Sequence, residues 1–249
     1  MANNRDGLVQ HMRQWLGRQG IDANATLIAG VSGGLDSMVL AETLHRVGIN
    51  LHVAHVNYHL RGEASDADQA LVEEWSEARG VHCHVLNAQV DPTEHGVQAE
   101  ARKIRYAHFE RLRTEASDRQ GHQAYIVTAH HGDDQAETVL LHLMRSADPL
   151  ALAAMPAVNS ERGLLRPFLA LTRAELVEAC SAWNVAYRGM LPTPNRITSE
   201  TEFGTRCCLC SIHSGPARRP TWPIGRTGFN RCGPSSRQNA MLPPHAAGM

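Results

Sequence analysis

The stretch TLIAGVSGGLDS, from Thr26 to Ser37, decides the fold. Its first six residues, Thr26 to Val31, are small or apolar, which is typical of a strand buried on both faces. Two glycines follow, and a helical pattern then runs from Asp36 to Val47. The stretch therefore predicts a strand, a tight turn and a helix, which together form the first unit of a parallel sheet.

The same alternation continues on both sides of this stretch. It predicts an α/β fold, a Rossmann-like doubly wound parallel sheet of about five strands, whose ligands bind at the carboxyl ends of the strands. We expect Val139, Leu140 and Leu143 to face inward, and Ser65 and Thr172 to cap their helices. The other predicted strands are 49–56, 81–86, 124–128 and one that begins at Leu164, and the other predicted helices are 6–19, 65–79, 97–116, 133–144 and 172–183.

Composition narrows the class of protein. The 249 residues carry a formal net charge of −1, 43% of them are hydrophobic, and 20% are charged, which excludes a disordered polyelectrolyte. No apolar run approaches the about 18 residues that cross a bilayer, and no apolar stretch follows the charged N-terminus as in a signal peptide. The six cysteines show no spacing typical of zinc or of a disulfide framework. We therefore expect a cytoplasmic protein without a membrane partner.

The turn at Ser32–Ser37, with the sequence SGGLDS, predicts a phosphate site. Gly33 and Gly34 let the backbone approach a ligand, and the unpaired amides of the helix start favour an oxyanion such as pyrophosphate. The hydroxyls of Ser32 and Ser37 complete this cradle. Asp36 is unusual beside phosphate, and it is best explained as a ligand of Mg²⁺ that bridges to the polyphosphate.

This hexapeptide resembles the PP-loop of the ATP pyrophosphatases, which split ATP between its α and β phosphates. Further blocks narrow the resemblance to the tRNA(Ile)-lysidine synthetases, and it covers about residues 25–188. The family fold is the adenine nucleotide alpha hydrolase type. The blocks are AHVNYHLRG at 54–62, SDAD at 65–68, EARKIRY at 100–106, TAHHGDDQAET at 128–138, LRP at 165–167 and Thr172–Arg173.

The resemblance implies a reaction with two substrates and one cofactor pair. The family uses ATP with Mg²⁺ to adenylate the C2 oxygen of the wobble cytidine in the CAU anticodon of tRNA(Ile), and free L-lysine then displaces AMP to give lysidine. It implies that Asp36, Asp133, Asp134 and Arg102 are catalytic. It implies nucleotide contacts for Ser32, Gly33, Gly34, Leu35, Asp36, Ser37, Ala29, His55 and Arg105, with magnesium held by Asp36 through pyrophosphate.

Simpler interpretations compete for several of these residues. Arg102 and Arg105, three apart on one helix face, can clamp a phosphate of ATP or tRNA, or they can form a solvated face. His130, His131 and Asp133 resemble a metal cluster, but such patterns also arise from hydrogen bonding within loops. A tRNA thiolase of the same superfamily is an alternative enzyme, although it usually needs a cysteine pair near the site. An inactive remnant is the other alternative.

The chain changes character after Arg188. We predict a PP-loop catalytic domain at 1–188 and an unrelated, disordered tail at 189–249. The tail holds seven Arg, no Lys, two acidic residues and four of the six Cys. The family continues here with D-x-[ST]-N and R-N-x-I-R elements, and neither follows Gly189.

A change of reading frame explains the tail. Synonymous codons for Gly189–Cys210 can be chosen so that reading from the third base gives DATNAEPDYLRNRIRHEVLPL, which contains both missing elements in order. We therefore hypothesise a single-base deletion near codon 189, which leaves the chain truncated and impaired relative to its ancestor. On this hypothesis the arginines and cysteines of the tail are neither a nucleic-acid patch nor a metal site.

Overall fold

The computed structural model describes residues 4–91, 96–145 and 154–189. Helices and strands alternate along them, as predicted. The strands are β1 (Thr26–Gly30), β2 (Asn50–Asn57), β3 (His82–Asn87), β4 (Ala124–Val127), β5 (Val158–Asn159) and β6 (Leu164–Leu165). The helices are α1 (Asn4–Arg18), α2 (Leu35–Val47), α3 (Glu63–Glu77), α4 (Val97–Gln120), α5 (Gly132–Arg145) and α6 (Arg173–Trp183).

The strands form one sheet in the order β3-β2-β1-β4-β6-β5. All neighbours are parallel except β5 and β6, which pair antiparallel. The predicted α/β sheet is confirmed, with one strand more than the five expected. The extra strand, β5, has two residues, which is too short for a periodic pattern to reveal.

Side chains on both faces of the sheet build the core. On one face, Leu27 and Ala29 of β1 pack with Met38 and Leu44 of α2. On the other face, α4 covers the sheet with Phe109, Leu112 and Ala116. Since both faces of β1 are covered, its continuous apolar run is explained. β1 and the loop that follows it are thereby held at the centre of the sheet.

Two local predictions were wrong. α3 begins at Glu63, and Ser65 lies inside its first turn, where its hydroxyl accepts a hydrogen bond from the Arg61 amide at 3.2 Å. Leu140 and Leu143 of α5 are each 52% exposed, so they do not face inward. The helical spacing of the apolar residues predicts an apolar stripe on α5, but it does not show whether another element covers that stripe.

Other features agree with the sequence or lie beyond the described residues. Thr172 caps α6 as predicted, because its hydroxyl and Glu175 form a reciprocal capping box. Within the described ranges, no helix combines the length and the apolar character that a membrane span requires. The predicted tail, apart from Gly189, lies outside the described residues.

Candidate active site

The predicted phosphate-binding loop, residues 32–37, closes on itself through the Ser37 hydroxyl. This oxygen accepts from the Ser32 amide at 3.1 Å and donates to the Gly34 carbonyl at 2.9 Å. The Ser32 hydroxyl also lies 3.1 Å from it. Gly33 has φ +85°, a left-handed conformation that favours glycine. The loop is therefore shaped by its own hydroxyls and glycines before any ligand binds.

The second half of this loop is the first turn of α2. Gly34 is the N-cap residue and offers no side-chain cap, while Leu35 is buried, so these two residues present backbone rather than side chains. The first amides of a helix lack intrahelical partners and carry partial positive charge. The loop and the helix start together provide a cradle suited to an oxyanion.

Asp36 lies between two cationic side chains. Its Oδ2 is 3.8 Å from His131 Nε2, and its Oδ1 is 3.8 Å from Arg173 Nε. The buried Oδ1 has no hydrogen-bond partner among the described residues. A carboxylate oxygen left in this state suits a hard cation such as Mg²⁺, so the residues present fit that metal.

His131 and Asp134 hold each other at the start of α5. The His131 amide donates to Asp134 Oδ2 at 2.9 Å, and the Asp134 amide donates to His131 Nδ1 at 3.4 Å. On the other side of the ring, Nε2 faces Asp36. His131 therefore lies between Asp36 and Asp134, two of the three acids that the resemblance implied to be catalytic.

The charges of this group perturb one another. Burial by itself lowers the pKa of His131, but Asp36 and Asp134 outweigh it and raise the pKa above its ordinary value. Burial raises the pKa of Asp134, and the nearby Asp36 and Asp133 add to this rise. The group is thus an acidic cluster around one imidazole, a setting that attracts a cation.

His55 closes the loop from the neighbouring strand. It is buried at the end of β2, and its Nδ1 donates to the Val31 carbonyl at 2.8 Å. Burial lowers the pKa of His55, so the ring is neutral and its Nε2 is left as an acceptor. The residue thus supports the loop, and its nucleotide contact stays a prediction.

A second group of positive side chains surrounds His130. Burial, together with the positive charges of Arg166, Arg102 and Arg105, lowers the pKa of His130 to about 4. The buried Nε atoms of Arg105 and Arg166 have no hydrogen-bond partner within the described ranges. Arg102 is exposed, with its guanidinium 4.8 Å from the centre of the Tyr106 ring. This convergence of cations is suited to an anion, and the solvated-face interpretation of Arg102 and Arg105 does not explain the buried Nε of Arg105.

The structure separates the predicted site residues into groups. Ser32, Gly33, Gly34, Leu35 and Ser37 form the cradle. Asp36 and Asp134 meet at His131, Asp133 adds charge, and Arg102 and Arg105 meet near His130. Ala29 is fully buried inside β1, so its nucleotide contact, like the other roles, stays a prediction.

Sequence reasoning missed three residues that complete these groups: His131, Arg173 and Arg166. His131 was weighed only as a metal ligand. Arg166 and Arg173 stood in the blocks LRP and Thr172–Arg173, without an assigned role. Their positions at the carboxyl edge, after β4 and β6, are the signal that could have identified them.

Comparison with known proteins is consistent with this geometry. The family model of the PP-loop domain matches residues 7–189. The chain is 39% identical over 173 residues to a tRNA(Ile)-lysidine synthase of Bacillus licheniformis, covering 66% of this chain and 35% of the relative. It is 37% identical over 174 residues to the same enzyme of Bacillus subtilis, covering 66% and 36%. The chain thus spans about a third of the length of these curated relatives.

A solved structure supports the fold. The U34-tRNA thiolase NcsA from Methanococcus maripaludis, solved with its [4Fe-4S] cluster, superposes with a TM-score of 0.59 at 18% sequence identity, over 77% of this chain and 67% of that one. At this identity the likeness shows the fold alone. The family model covers most of the chain, and we conclude that the chain belongs to the PP-loop domain family.

Proposed function

We propose that this chain carries the ATP-using domain of a tRNA(Ile)-lysidine synthase, which joins free L-lysine to C2 of the wobble cytidine in the CAU anticodon of tRNA(Ile). The observation that carries the proposal is the position of Asp36, in the phosphate-binding loop and 3.8 Å from the His131 imidazole. A pyrophosphate cradle and an acidic, cation-attracting cluster thus share one residue. An ATP-dependent ligation of an amine needs both.

The first step is adenylation. The C2 oxygen of the cytidine attacks the α-phosphorus of ATP, the bond to the β-phosphate oxygen breaks, and pyrophosphate leaves. The amides and hydroxyls of Ser32–Ser37 hold the leaving pyrophosphate, where preorganised donors offset the developing charge. Asp36 would hold Mg²⁺, which when bound neutralises the phosphate oxygens.

The second step is aminolysis. The lysine Nε attacks C2, the bond from C2 to the adenylated oxygen breaks, and AMP leaves. The lysine ammonium must first lose a proton, since only the neutral amine is a nucleophile. Asp133 and Asp134 attract the ammonium, and burial raises the pKa of Asp134, which makes its carboxylate a stronger base for the ammonium proton.

The arginine group explains how a polyanion reaches this edge. Arg102, Arg105 and Arg166 converge near His130, and the charge of the whole chain is only −1, so attraction for tRNA must be local. These side chains would contact a phosphate of tRNA or ATP. Their planar guanidinium groups are suited to bidentate phosphate binding.

The thiolase alternative gains no support from the described cysteines, Cys83 and Cys180, which lie on β3 and at the end of α6. Burial raises the pKa of both thiols, which keeps them protonated and weakly nucleophilic. The Cys180 thiol donates to the Val185 carbonyl at 3.4 Å. Such cysteines are suited to packing.

The test uses two versions of the chain, the one given and one with a single base restored at codon 189. Each is incubated with an unmodified tRNA(Ile) transcript, ATP, Mg²⁺ and labelled lysine. We expect the restored version to form AMP only with tRNA and to incorporate lysine, and the given chain to be at least tenfold slower. A transcript with uridine at the wobble position is the matched control.

Variants then separate the two steps. Asp134→Asn is expected to keep most tRNA-dependent pyrophosphate release while lysine incorporation falls at least tenfold. Asp36→Ala is expected to lose both. The proposal fails if the restored chain shows no tRNA-dependent turnover, or if it transfers sulfur instead of lysine.

A further inference from the structure

We propose that Asp68 and Arg188 are positioning residues that lock one peptide unit of the phosphate-binding loop, so that the Gly34 amide faces the ligand. This inference rests on the proposed function of the loop as a pyrophosphate cradle. It adds two residues outside the loop, one from α3 and one from the segment after α6.

The lock begins with a backbone contact. The Arg188 amide donates to the Gly33 carbonyl at 2.9 Å. In a trans peptide the carbonyl and the following amide point in opposite directions, so fixing the Gly33 carbonyl also fixes the Gly34 amide. Gly33 and Gly34 are conformationally free residues, and without this bond their shared peptide unit can rotate.

Asp68 holds Arg188 in place. Arg188 Nε donates to Asp68 Oδ1 at 3.1 Å, and Arg61 Nη2 donates to Asp68 Oδ2 at 2.6 Å. Both carboxylate oxygens of Asp68 thus accept a hydrogen bond from an arginine, and the side chain is only 11% exposed. Bonds between ionised groups in this setting are stronger than neutral ones.

Asp68 also touches the loop directly. A Cβ built on Gly33 would lie 3.2 Å from Asp68 Cβ and 3.3 Å from the Asp68 carbonyl oxygen. The backbone of the loop and α3 are thus in close contact at this point, where only glycine fits easily. The two arginines and one carboxylate leave a net charge of +1 beside the cradle, which favours an anion.

The Gly34 amide remains available to a ligand. Its nearest acceptor is the Ser32 hydroxyl at 3.4 Å, a long bond that a phosphate oxygen can replace. Docking of the segment before residue 189 and binding of pyrophosphate are therefore linked, because both need the same orientation of one peptide unit.

The test measures the affinity of the purified chain for magnesium pyrophosphate by calorimetry. We expect Asp68→Asn and Arg188→Ala each to weaken binding about tenfold. If the two effects were independent, the double variant would lose affinity about hundredfold. We expect a much smaller loss of affinity, because the two residues act through one contact. Arg61→Ala is the matched control: it removes an ion pair to the same carboxylate from a side chain that is 69% exposed, and should weaken binding less than threefold.

A second readout separates positioning from folding. Hydrogen exchange at the Gly34 amide with pyrophosphate bound should rise in Asp68→Asn and Arg188→Ala, while the unfolding midpoint stays close to that of the unaltered chain. Arg188→Lys, which can still reach the carboxylate, should recover part of the affinity.

The outcomes distinguish the two claims. If neither the unaltered chain nor the version with the restored base binds pyrophosphate, the proposed function fails. If either version binds pyrophosphate and its Asp68 and Arg188 variants bind it equally well, the lock fails. The lock also fails if every loss of affinity follows a loss of stability.

Discussion

Gly30 shows how one missing side chain sets the distance between a strand and a helix. A Cβ at this position would lie 2.7 Å from Phe109 Cζ, closer than packed atoms allow. Gly30→Ala is therefore expected to lower the free energy of unfolding by about 1–3 kcal/mol, the usual effect of overpacking. Urea denaturation measures this value.

Gly17→Ala is the control for Gly30→Ala. Gly17 lies in α1, and a Cβ there meets nothing within 4 Å. This substitution should leave the unfolding free energy unchanged or raise it by up to about 1 kcal/mol, because alanine is the better helix former. Equal stability of the two variants would contradict the contact with Phe109.

At the residue scale, the sequence was sufficient to predict the loop at Ser32–Ser37 but not the role of the residues that surround it in space. Ser32–Ser37 could be predicted because glycine, serine and an acid at one strand-to-helix junction have few structural explanations. His131 could not be assigned in the same way, since its role depends on Asp36, which lies far away in sequence and 3.8 Å away in space. Contacts between distant residues leave no periodic pattern.

At the element scale, β2, β3 and α4 enclose a histidine cluster made of His52, His82, His84 and His108. His52 Nδ1 and His84 Nε2 are 3.0 Å apart with their rings inclined by only 20°, so one ring donates and the other must accept as a neutral base. Burial lowers the pKa of His52 to about 4, with His84, His82 and Arg119 contributing. From α4, Arg111 adds positive charge and Glu115 negative charge near His84.

This cluster makes stability depend on pH. Unfolded His52 takes up a proton near its ordinary pKa of 6.5, and folded His52 only near 4, so the unfolded state binds more protons between these values. The free energy of unfolding should therefore fall as the pH drops from 7 to 5, by about 1 kcal/mol after allowance for solvent screening. His52→Gln should reduce this fall, measured by urea denaturation at each pH.

The exposed His122 provides the control for His52. His122→Gln should keep the full acid sensitivity. If His52→Gln and His122→Gln lose stability equally between pH 7 and pH 5, the cluster is not the cause.

Secondary structure was predictable wherever one face of an element packs on the sheet. α2 and α6 followed their apolar periods to within one residue of the expected bounds. The predicted orientation of α5 was wrong, since Leu140 and Leu143 are about half exposed. A helical period identifies a stripe, and only the packed structure shows whether that stripe is covered.

At the scale of the whole molecule, we propose that residues 1–189 fold without help from 190–249. Residues from Met12 of α1 to Val185 pack into one hydrophobic cluster. A chain ending at Gly189 should therefore unfold at the same urea midpoint as the full chain. The free energies of unfolding of the two chains should agree within about 0.5 kcal/mol. A chain ending at Ala182 is the control, since it removes Val185 and the Arg188 contacts. A lower midpoint for the 1–189 chain would contradict this domain boundary.

The reading-frame hypothesis makes a prediction about the gene. Sequencing across codons 185–195 should reveal codons whose third-base frame, starting within codon 189, encodes the D-x-[ST]-N element. This result would also explain why the resemblance to the family stops at that point. Codons without the alternative reading would overturn the hypothesis.

The most direct test of the central claim is hydrogen exchange of the backbone amides with and without ATP and Mg²⁺. We expect protection on binding to be greatest at residues 32–37 and to be lost in Ser37→Ala, because the Ser37 hydroxyl holds Ser32 and Gly34 together. Protection centred elsewhere, or equal protection in the variant, would contradict the assignment of this loop as the phosphate site.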